Sequence, residues 1–133
     1  MSNAVLLAQN NTVYCFDVNK DKLNKIRSRI SPIDDKDIIE YFATKELNLV
    51  VTDDAIDAFK EADFIIISTP TNFDSEKNYF DTISVETTIA NILACNNSAT
   101  IIIKSTIPVG YTAILREKFC YENIMFSREF LRE

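Results

Sequence analysis

Residues Ile101 to Gly110 read Ile-Ile-Ile-Lys-Ser-Thr-Ile-Pro-Val-Gly. Three consecutive β-branched residues, followed by polar residues, a proline and the chain's only glycine, indicate a buried strand that stops at an open loop. Ligands of open parallel sheets bind beyond the carboxyl ends of the strands, where Lys104, Ser105 and Thr106 would lie. An ordinary strand-to-helix turn is the alternative, because apolar runs that end in Ser-Thr are common in turns.

Apolar strands and amphipathic helices alternate through the rest of the chain. Strands are predicted at residues 13–17, 49–52, 63–68, 101–103 and 124–126, and helices at 1–11, 21–29 and 35–45. Two further helices follow, one with Val85, Ile89, Ile92 and Leu93 facing inward, and one that Pro108 starts, with Leu115 and Phe119 facing inward. Five strands separated by helices predict an α/β fold with a doubly wound parallel sheet.

The same patterns predict which side chains are buried. Helical spacing assigns two buried stripes, Leu23, Ile26 and Ile30 in one helix and Ile38, Ile39 and Phe42 in the next. The continuous run Ile65-Ile66-Ile67 is typical of a strand that is covered on both faces. Asp53, Asp54 and Asp57 crowd the start of a helix, where negative charge is favourable, so capping is predicted for them.

Composition limits the class of protein and of partner. A chain of 133 residues that is 47% hydrophobic has the length and the apolar content of one globular domain. The net charge of -6, with no block of basic residues, argues against nucleic acid and anionic membranes as partners. Three cysteines without CxxC spacing and the lack of histidine support neither a disulfide framework nor a metal site. A small ligand and a cytoplasmic location are therefore expected.

Polar residues follow several of the predicted strands. Asp17 ends the strand at 13–17, with Lys22 just beyond it, and a carboxylate there can accept both ribose hydroxyls of an adenine dinucleotide. A helix-capping role is the alternative for Asp17. Thr69-Pro70-Thr71 breaks the strand at 63–68, and its hydroxyls either approach a ligand or satisfy loop backbone. The arginines and acids at 128–133 either hold a phosphorylated ligand or form a solvated tail.

Taken together, several motifs resemble the NAD-binding domain of the UDP-glucose and GDP-mannose dehydrogenase family, in its UDP-glucose 6-dehydrogenase branch. The wider family also contains UDP-N-acetyl-sugar dehydrogenases, and the resemblance covers essentially the whole chain. The motifs are Phe16-Asp17-Val18, Ser31-Pro32-Ile33, Ser68-Thr69-Pro70-Thr71, Asn78-Tyr79-Phe80, Ile103-Lys104-Ser105-Thr106-Ile107-Pro108-Val109-Gly110 and Glu129-Phe130-Leu131-Arg132-Glu133.

The resemblance implies a role for individual positions. For NAD binding, it implies Asp17 at the ribose, Lys22 nearby, Thr71 and Thr106 beside the cofactor, and Glu133 near the nicotinamide. For catalysis, it implies that Thr106 and Glu129 organise a water molecule. For UDP-glucose binding, it implies the segment Glu129, Phe130, Leu131, Arg132 and Glu133.

The resemblance also implies a reaction, the NAD-dependent oxidation of UDP-glucose to UDP-glucuronate through a thioester on a cysteine, by an enzyme that is a homodimer. This chain departs from the family pattern, since it lacks the GxGxxG turn and none of Cys15, Cys95 and Cys120 matches the nucleophile. We therefore expect a domain truncated at both ends that is inactive alone. Its sheet would lack the first, central strand, which would separate residues 13–17 from 63–68.

Three alternatives compete with the hypothesis of a truncated dehydrogenase domain. The chain is a non-catalytic module that binds nucleotides or docks on a full-length dehydrogenase, or it belongs to a dehydrogenase of the same family that acts on another nucleotide sugar. A signalling receiver domain is disfavoured, because Asp53 and Asp54 open a helix and do not cluster at the end of the first strand.

Overall fold

Parallel strands and helices make up both halves of the chain. The computed structural model describes residues 1–77 and 79–127. They form two compact units, the first comprising residues 1–58 and the second beginning at Phe59. The five predicted strands are all present and pair in parallel, so the predicted α/β class is confirmed. The strands at 13–16 and 64–67 belong to different sheets, which agrees with the predicted separation.

The first unit is a two-stranded parallel sheet with helices. Its elements are α1 (Ser2–Ala8), β1 (Val13–Phe16), α2 (Lys20–Arg27), α3 (Lys36–Thr44) and β2 (Leu49–Thr52), followed by α4 (Ala55–Phe59), which ends at the boundary. β1 and β2 pair in register from Val13 with Leu49 to Phe16 with Thr52. A buried cluster of Val5, Ala8, Ile26, Ile38, Phe42 and Leu47 forms the core of this unit.

Side-chain caps determine where the helices of the first unit begin. Asn19 accepts hydrogen bonds from the first turn of α2, and Asp35 does the same for α3. Asp54 accepts from the backbone N–H groups of Ile56 and Asp57 at 2.9 and 3.3 Å, so the predicted capping role is confirmed for Asp54.

Two burial predictions in this unit are wrong. Arg29 adopts a left-handed conformation with φ 60°, and the N–H of Ile30 bonds back to the carbonyl of Lys25 at 2.8 Å. This pattern ends α2, so Ile30 leaves the buried stripe and is 56% exposed. Ile39 is 47% exposed, because Ile38 and Phe42 lie four residues apart on the inward face and Ile39 lies about 100° around the helix from Ile38.

The second unit is a three-stranded parallel sheet with two helices and a small hairpin. Its elements are β3 (Phe64–Ile67), β4 (Phe73–Asp74), β5 (Tyr79–Phe80), α5 (Ile83–Cys95), β6 (Thr100–Ile103), α6 (Tyr111–Phe119) and β7 (Ile124–Phe126). The sheet has the strand order β3-β6-β7. β4 and β5 form a small antiparallel hairpin, with the rings of Phe73 and Phe80 4.8 Å apart.

One face of the second sheet carries the core. Buried side chains alternate along its strands, and the helices add further ones: Ile65, Ile67, Ile101, Ile103 and Ile124 from the sheet, and Val85, Ile89, Ile92 and Leu115 from α5 and α6. On the other face Phe64 is 69% and Ile66 37% exposed. The prediction that residues 65–67 are covered on both faces is therefore wrong, because only alternate side chains of β3 reach the core.

The loop after β6 is longer than the sequence predicts. Pro108 does not start α6 but forms a turn in which its carbonyl accepts the N–H of Tyr111 at 3.1 Å. Gly110 is the N-cap of α6 with φ 80°, a conformation that other L-residues rarely adopt. The helix therefore starts at Tyr111, and residues 104–110 stay available as a loop at the end of β6.

Asn96, at the end of α5, joins three segments of the second unit. Its side-chain amide donates to the carbonyls of Phe59 and Ala62 at 2.7 and 3.0 Å. Its side-chain oxygen accepts from the backbone N–H groups of Ser98 and Ala99, each at 3.0 Å. Asn96 is only 7% exposed, so its partners cannot all form hydrogen bonds with water if the side chain is removed.

We expect Asn96→Ala to lower the free energy of unfolding by about 2 to 4 kcal/mol, since several polar groups would lose their partner in a buried place. Urea denaturation followed by circular dichroism measures the change. The matched control is Asn97→Ala, because Asn97 is the exposed neighbour. Equal effects of the two substitutions would contradict the assignment.

Glu86 links α5 to α6. Its carboxylate accepts a hydrogen bond from the hydroxyl of Tyr111 and lies 2.7 Å from the ammonium group of Lys118. Thr82 donates in turn to the Tyr111 oxygen at 2.9 Å. Hydrogen bonds from Lys118 and then from Tyr111 lower the pKa of the Glu86 carboxyl below its ordinary value.

Because the pKa is lower in the folded state, Glu86 stabilises the fold above the pKa of an unfolded glutamate, and this stabilisation disappears as the pH falls through the folded pKa. We expect Glu86→Gln to destabilise the protein by about 1 kcal/mol at neutral pH and by progressively less toward acid pH. Urea unfolding at several pH values measures this. Glu117→Gln on α6 is the control, since Glu117 has no ion pair among the described residues. A pH-independent difference would disprove the role of the charge.

Candidate functional site

The candidate site residues form one group in the first unit and another in the second. Asp17 directly follows β1, and its side chain is half-buried. One carboxylate oxygen accepts the N–H of Asn19 at 2.9 Å, and the other lies 3.9 Å from the ammonium group of Lys22 in the first turn of α2. The structure thus brings together Asp17 and Lys22. Asp17 does not cap α2, since that role belongs to Asn19.

The ends of β3 and β6 carry the second group of candidate residues. The two strands pair from Phe64 with Thr100 to Ile67 with Ile103, so both end at the same level. Thr71 lies in the loop after β3 and is half-buried, and Thr106 lies in the loop after β6 and is exposed. Neither side chain has a hydrogen-bond partner within the described ranges. Both hydroxyls are therefore available to a ligand.

Three further hydroxyls connect these two loops. The Ser105 hydroxyl donates to the carbonyl of Thr69 at 2.7 Å, and the oxygens of the two side chains are 3.4 Å apart. The Ser84 hydroxyl, in the first turn of α5, lies 3.2 Å from the Thr69 hydroxyl and 2.9 Å from the Pro70 carbonyl. The sequence predicts that Ser105 can contact a ligand. In the structure its side chain is only 6% exposed, and its hydroxyl bonds the neighbouring loop.

Sequence reasoning did not identify Thr69 and Ser84 as a connected pair. Thr69 was visible as part of the Thr69-Pro70-Thr71 strand break, but Ser84 lies fifteen residues further on. Only the return of the chain from the β4-β5 hairpin places the start of α5 beside Thr69. The single signal in the sequence was the excess of small hydroxyl residues at both strand ends.

The two cysteines of the second unit lie away from its candidate residues. Cys95 is the last residue of α5, shortly before β6 begins, and Cys120 directly follows α6, shortly before β7 begins. Both are therefore at the amino ends of the strands, opposite Thr71 and Thr106. Cys15 lies on β1, where burial raises the pKa of its thiol and so disfavours the reactive thiolate.

Some predicted site residues lie outside the described residues. These are Asn78 and the segment of Glu129, Phe130, Leu131, Arg132 and Glu133. In the ranges 1–77 and 79–127, no three acidic or cysteine side chains are grouped so that they could hold a metal ion. Across the same part of the chain, every helix is too short or too polar to cross a membrane.

Comparison with known proteins gives consistent results. The chain is 50% identical over 133 residues to the UDP-glucose 6-dehydrogenase of Streptococcus pneumoniae, and 41% identical over 135 residues to that of Campylobacter jejuni. Each match covers 100% of this chain and 34% of the relative, so the chain spans about a third of the length of these relatives.

The fold matches solved dehydrogenase structures. A UDP-D-ManNAc dehydrogenase from Pyrococcus horikoshii superimposes with a TM-score of 0.80 at 23% identity, covering 98% of this chain and 34% of that one. Residues 1–133 match the family described as UDP-glucose/GDP-mannose dehydrogenase family, NAD binding domain. The resemblance inferred from the sequence motifs is thereby confirmed: the chain belongs to the UDP-glucose/GDP-mannose dehydrogenase family and corresponds to its NAD-binding domain.

Proposed function

We propose that this chain binds NAD and serves the oxidation of UDP-glucose to UDP-glucuronate. The observation that carries the proposal is the carboxylate of Asp17, directly after a parallel strand and 3.9 Å from Lys22, in a chain that matches the NAD-binding domain of this family. A carboxylate at a strand's carboxyl end accepts the two ribose hydroxyls of NAD and repels the extra phosphate of NADP. Asp17 with Lys22 therefore supports a ribose site for NAD in the first unit.

Thr71 and Thr106 are the cofactor contacts proposed in the second unit. Both follow strands of one parallel sheet, and both have hydroxyls without a partner among the described residues. Bound NAD would accept the hydride from the alcohol carbon of the sugar. The residues of this chain would hold it in place, with Thr71 and Thr106 donating or accepting hydrogen bonds at its surface. Glu133 is proposed near the nicotinamide.

The proposed catalytic group is Thr106 with Glu129. A carboxylate beside a hydroxyl can orient a water molecule and take its proton when the carboxylate's pKa is raised toward neutrality. The proposed contacts to the sugar nucleotide are Glu129, Phe130, Leu131, Arg132 and Glu133. UDP-glucose as the substrate rests on the two relatives, each named UDP-glucose 6-dehydrogenase. A cytoplasmic homodimer is proposed for the whole enzyme.

A non-catalytic NAD-binding module is the second candidate. The observation that favours it concerns the thiols, since oxidation through a thioester needs a reactive cysteine at the carboxyl ends of the strands. Cys95 and Cys120 lie at the opposite ends, and Cys15 has a raised pKa. The complete reaction therefore needs a thiol that this chain does not place at the site.

We expect Asp17→Asn to weaken NAD binding about tenfold, because charge-assisted hydrogen bonds to the ribose become neutral ones. Preference for NAD over NADP should also decrease, because the repulsion of the phosphate is lost. Isothermal titration of both cofactors gives the two dissociation constants. The control is Asp21→Asn, which removes an exposed carboxylate from the first turn of α2. An unchanged ratio of the two constants would exclude Asp17 from the ribose site.

A second prediction tests whether the chain catalyses the oxidation by itself. We expect the purified chain, mixed with UDP-glucose and NAD, to form no NADH above a protein-free control, because it places no reactive thiol at the site. NADH absorbance measures turnover, and a thermal melt with and without NAD measures binding independently. Stabilisation by NAD without turnover is expected for an NAD-binding domain, both as part of a longer dehydrogenase and as a module. Sustained NADH formation would refute the module and show that the chain is a complete catalyst.

A further inference from the structure

The hydrogen-bond distances show which of the Thr69, Ser84 and Ser105 hydroxyls donates and which accepts in each contact. Each hydroxyl has one proton to donate. The Ser105 hydroxyl donates its proton to the carbonyl of Thr69, which is its shorter contact at 2.7 Å. The Ser105 oxygen can therefore only accept in its 3.4 Å contact with the Thr69 hydroxyl. Ser84 then donates to the Pro70 carbonyl at 2.9 Å, with the Thr69 oxygen at 3.2 Å as its weaker acceptor.

This assignment means that the loop after β3 is held from two sides. Ser105 bonds both the carbonyl and the hydroxyl of Thr69, and Ser84 bonds the next carbonyl, that of Pro70. The backbone contacts between the strands stop earlier, at Ile67, whose carbonyl accepts the N–H groups of Lys104 and Ser105 at 2.8 and 3.3 Å. Beyond Ile67, the side chain of Ser105 is the connection between the two loops that the described residues show.

Ser105 also lies between the two proposed cofactor residues. Thr106 follows it directly in the chain, and Thr71 is two residues beyond its partner Thr69. Ser105 is buried, whereas Thr106 is exposed and Thr71 is half-buried. The Ser105 hydroxyl is therefore linked to both threonines, to Thr106 through the chain and to Thr71 through Thr69.

We propose that Ser105 is a positioning residue, whose hydroxyl holds the Thr69-Pro70-Thr71 loop against the end of β6 so that Thr71 and Thr106 act together on the cofactor. This inference rests on the proposed function, since it takes Thr71 and Thr106 as NAD contacts. It goes further in assigning their cooperation to one buried hydroxyl. Ser84 supports the same loop from α5.

The first test needs no cofactor. Ser105→Ala removes the connection, and we expect the amides of residues 104 and 105, which bond the carbonyl of Ile67 beside it, to exchange with deuterium faster while the amides within α5 and α6 keep their rates. Thr69→Val should have a smaller effect, because it removes the Thr69 hydroxyl but leaves the bond from Ser105 to the Thr69 carbonyl. Thr69→Ser, which keeps the hydroxyl, should leave the rates unchanged. Thr87→Ala is the control, since Thr87 is an exposed hydroxyl residue on α5. Unchanged rates at the amides of residues 104 and 105 in Ser105→Ala would overturn the proposal.

The second test measures cooperation in NAD binding. We expect Ser105→Ala to weaken NAD binding about 3- to 10-fold, and Thr71→Val to have a smaller effect in the Ser105→Ala background than in the original chain. Additive effects of the two substitutions would overturn the positioning role. If the original chain shows no NAD binding, the proposed function fails for this chain, and the exchange rates alone decide whether Ser105 joins the two loops.

Discussion

The parallel pairing of β3 with β6 is the constraint on which the second unit depends. The register matches Phe64 with Thr100 and Ile67 with Ile103, so both strands end at one level. The segments that follow them leave the sheet side by side, with their polar residues at the same edge. Parallel strands give no hairpin, and the chain must cross the sheet through α5 before it returns, which brings the start of α5 beside the end of β3. The contact of Ser84 with Thr69 is a direct result.

This geometry divides the hydroxyl residues into two kinds. Thr69, Ser84 and Ser105 are bonded to one another and to loop carbonyls, whereas Thr71 and Thr106 have no partner among the described residues. A buried hydroxyl that lacks a partner is costly, so the bonded set contributes to the stability of the loops. The unbonded pair contributes nothing comparable and is left for a ligand. The stability of the two loops and the proposed binding of a ligand therefore depend on different hydroxyl residues.

Polar contacts hold both ends of α5. Asn96 fixes the end of α5 to the segment that precedes β3, and Glu86 with Tyr111 and Lys118 fixes the start of α5 to α6. Between them, α5 presents Val85, Ile89 and Ile92 to the core. The apolar contacts decide that the helix packs on the sheet. The polar contacts fix the position of α5 along the sheet, and with it the contact between its first turn and the loop after β3.

The sequence by itself determined the α/β class, the five parallel strands and the family, because strand and helix periods are local and the motifs are specific in combination. It predicted the bounds of β2 and β7 correctly, since their apolar runs end at turn residues. Periodicity could not show that Ile30 leaves α2, because a left-handed Arg29 ends the helix first. Nor could it show that β3 is covered on one face only. Tertiary structure alone decided that Ser105 faces Thr69, because residues thirty-six positions apart meet only when their strands pair.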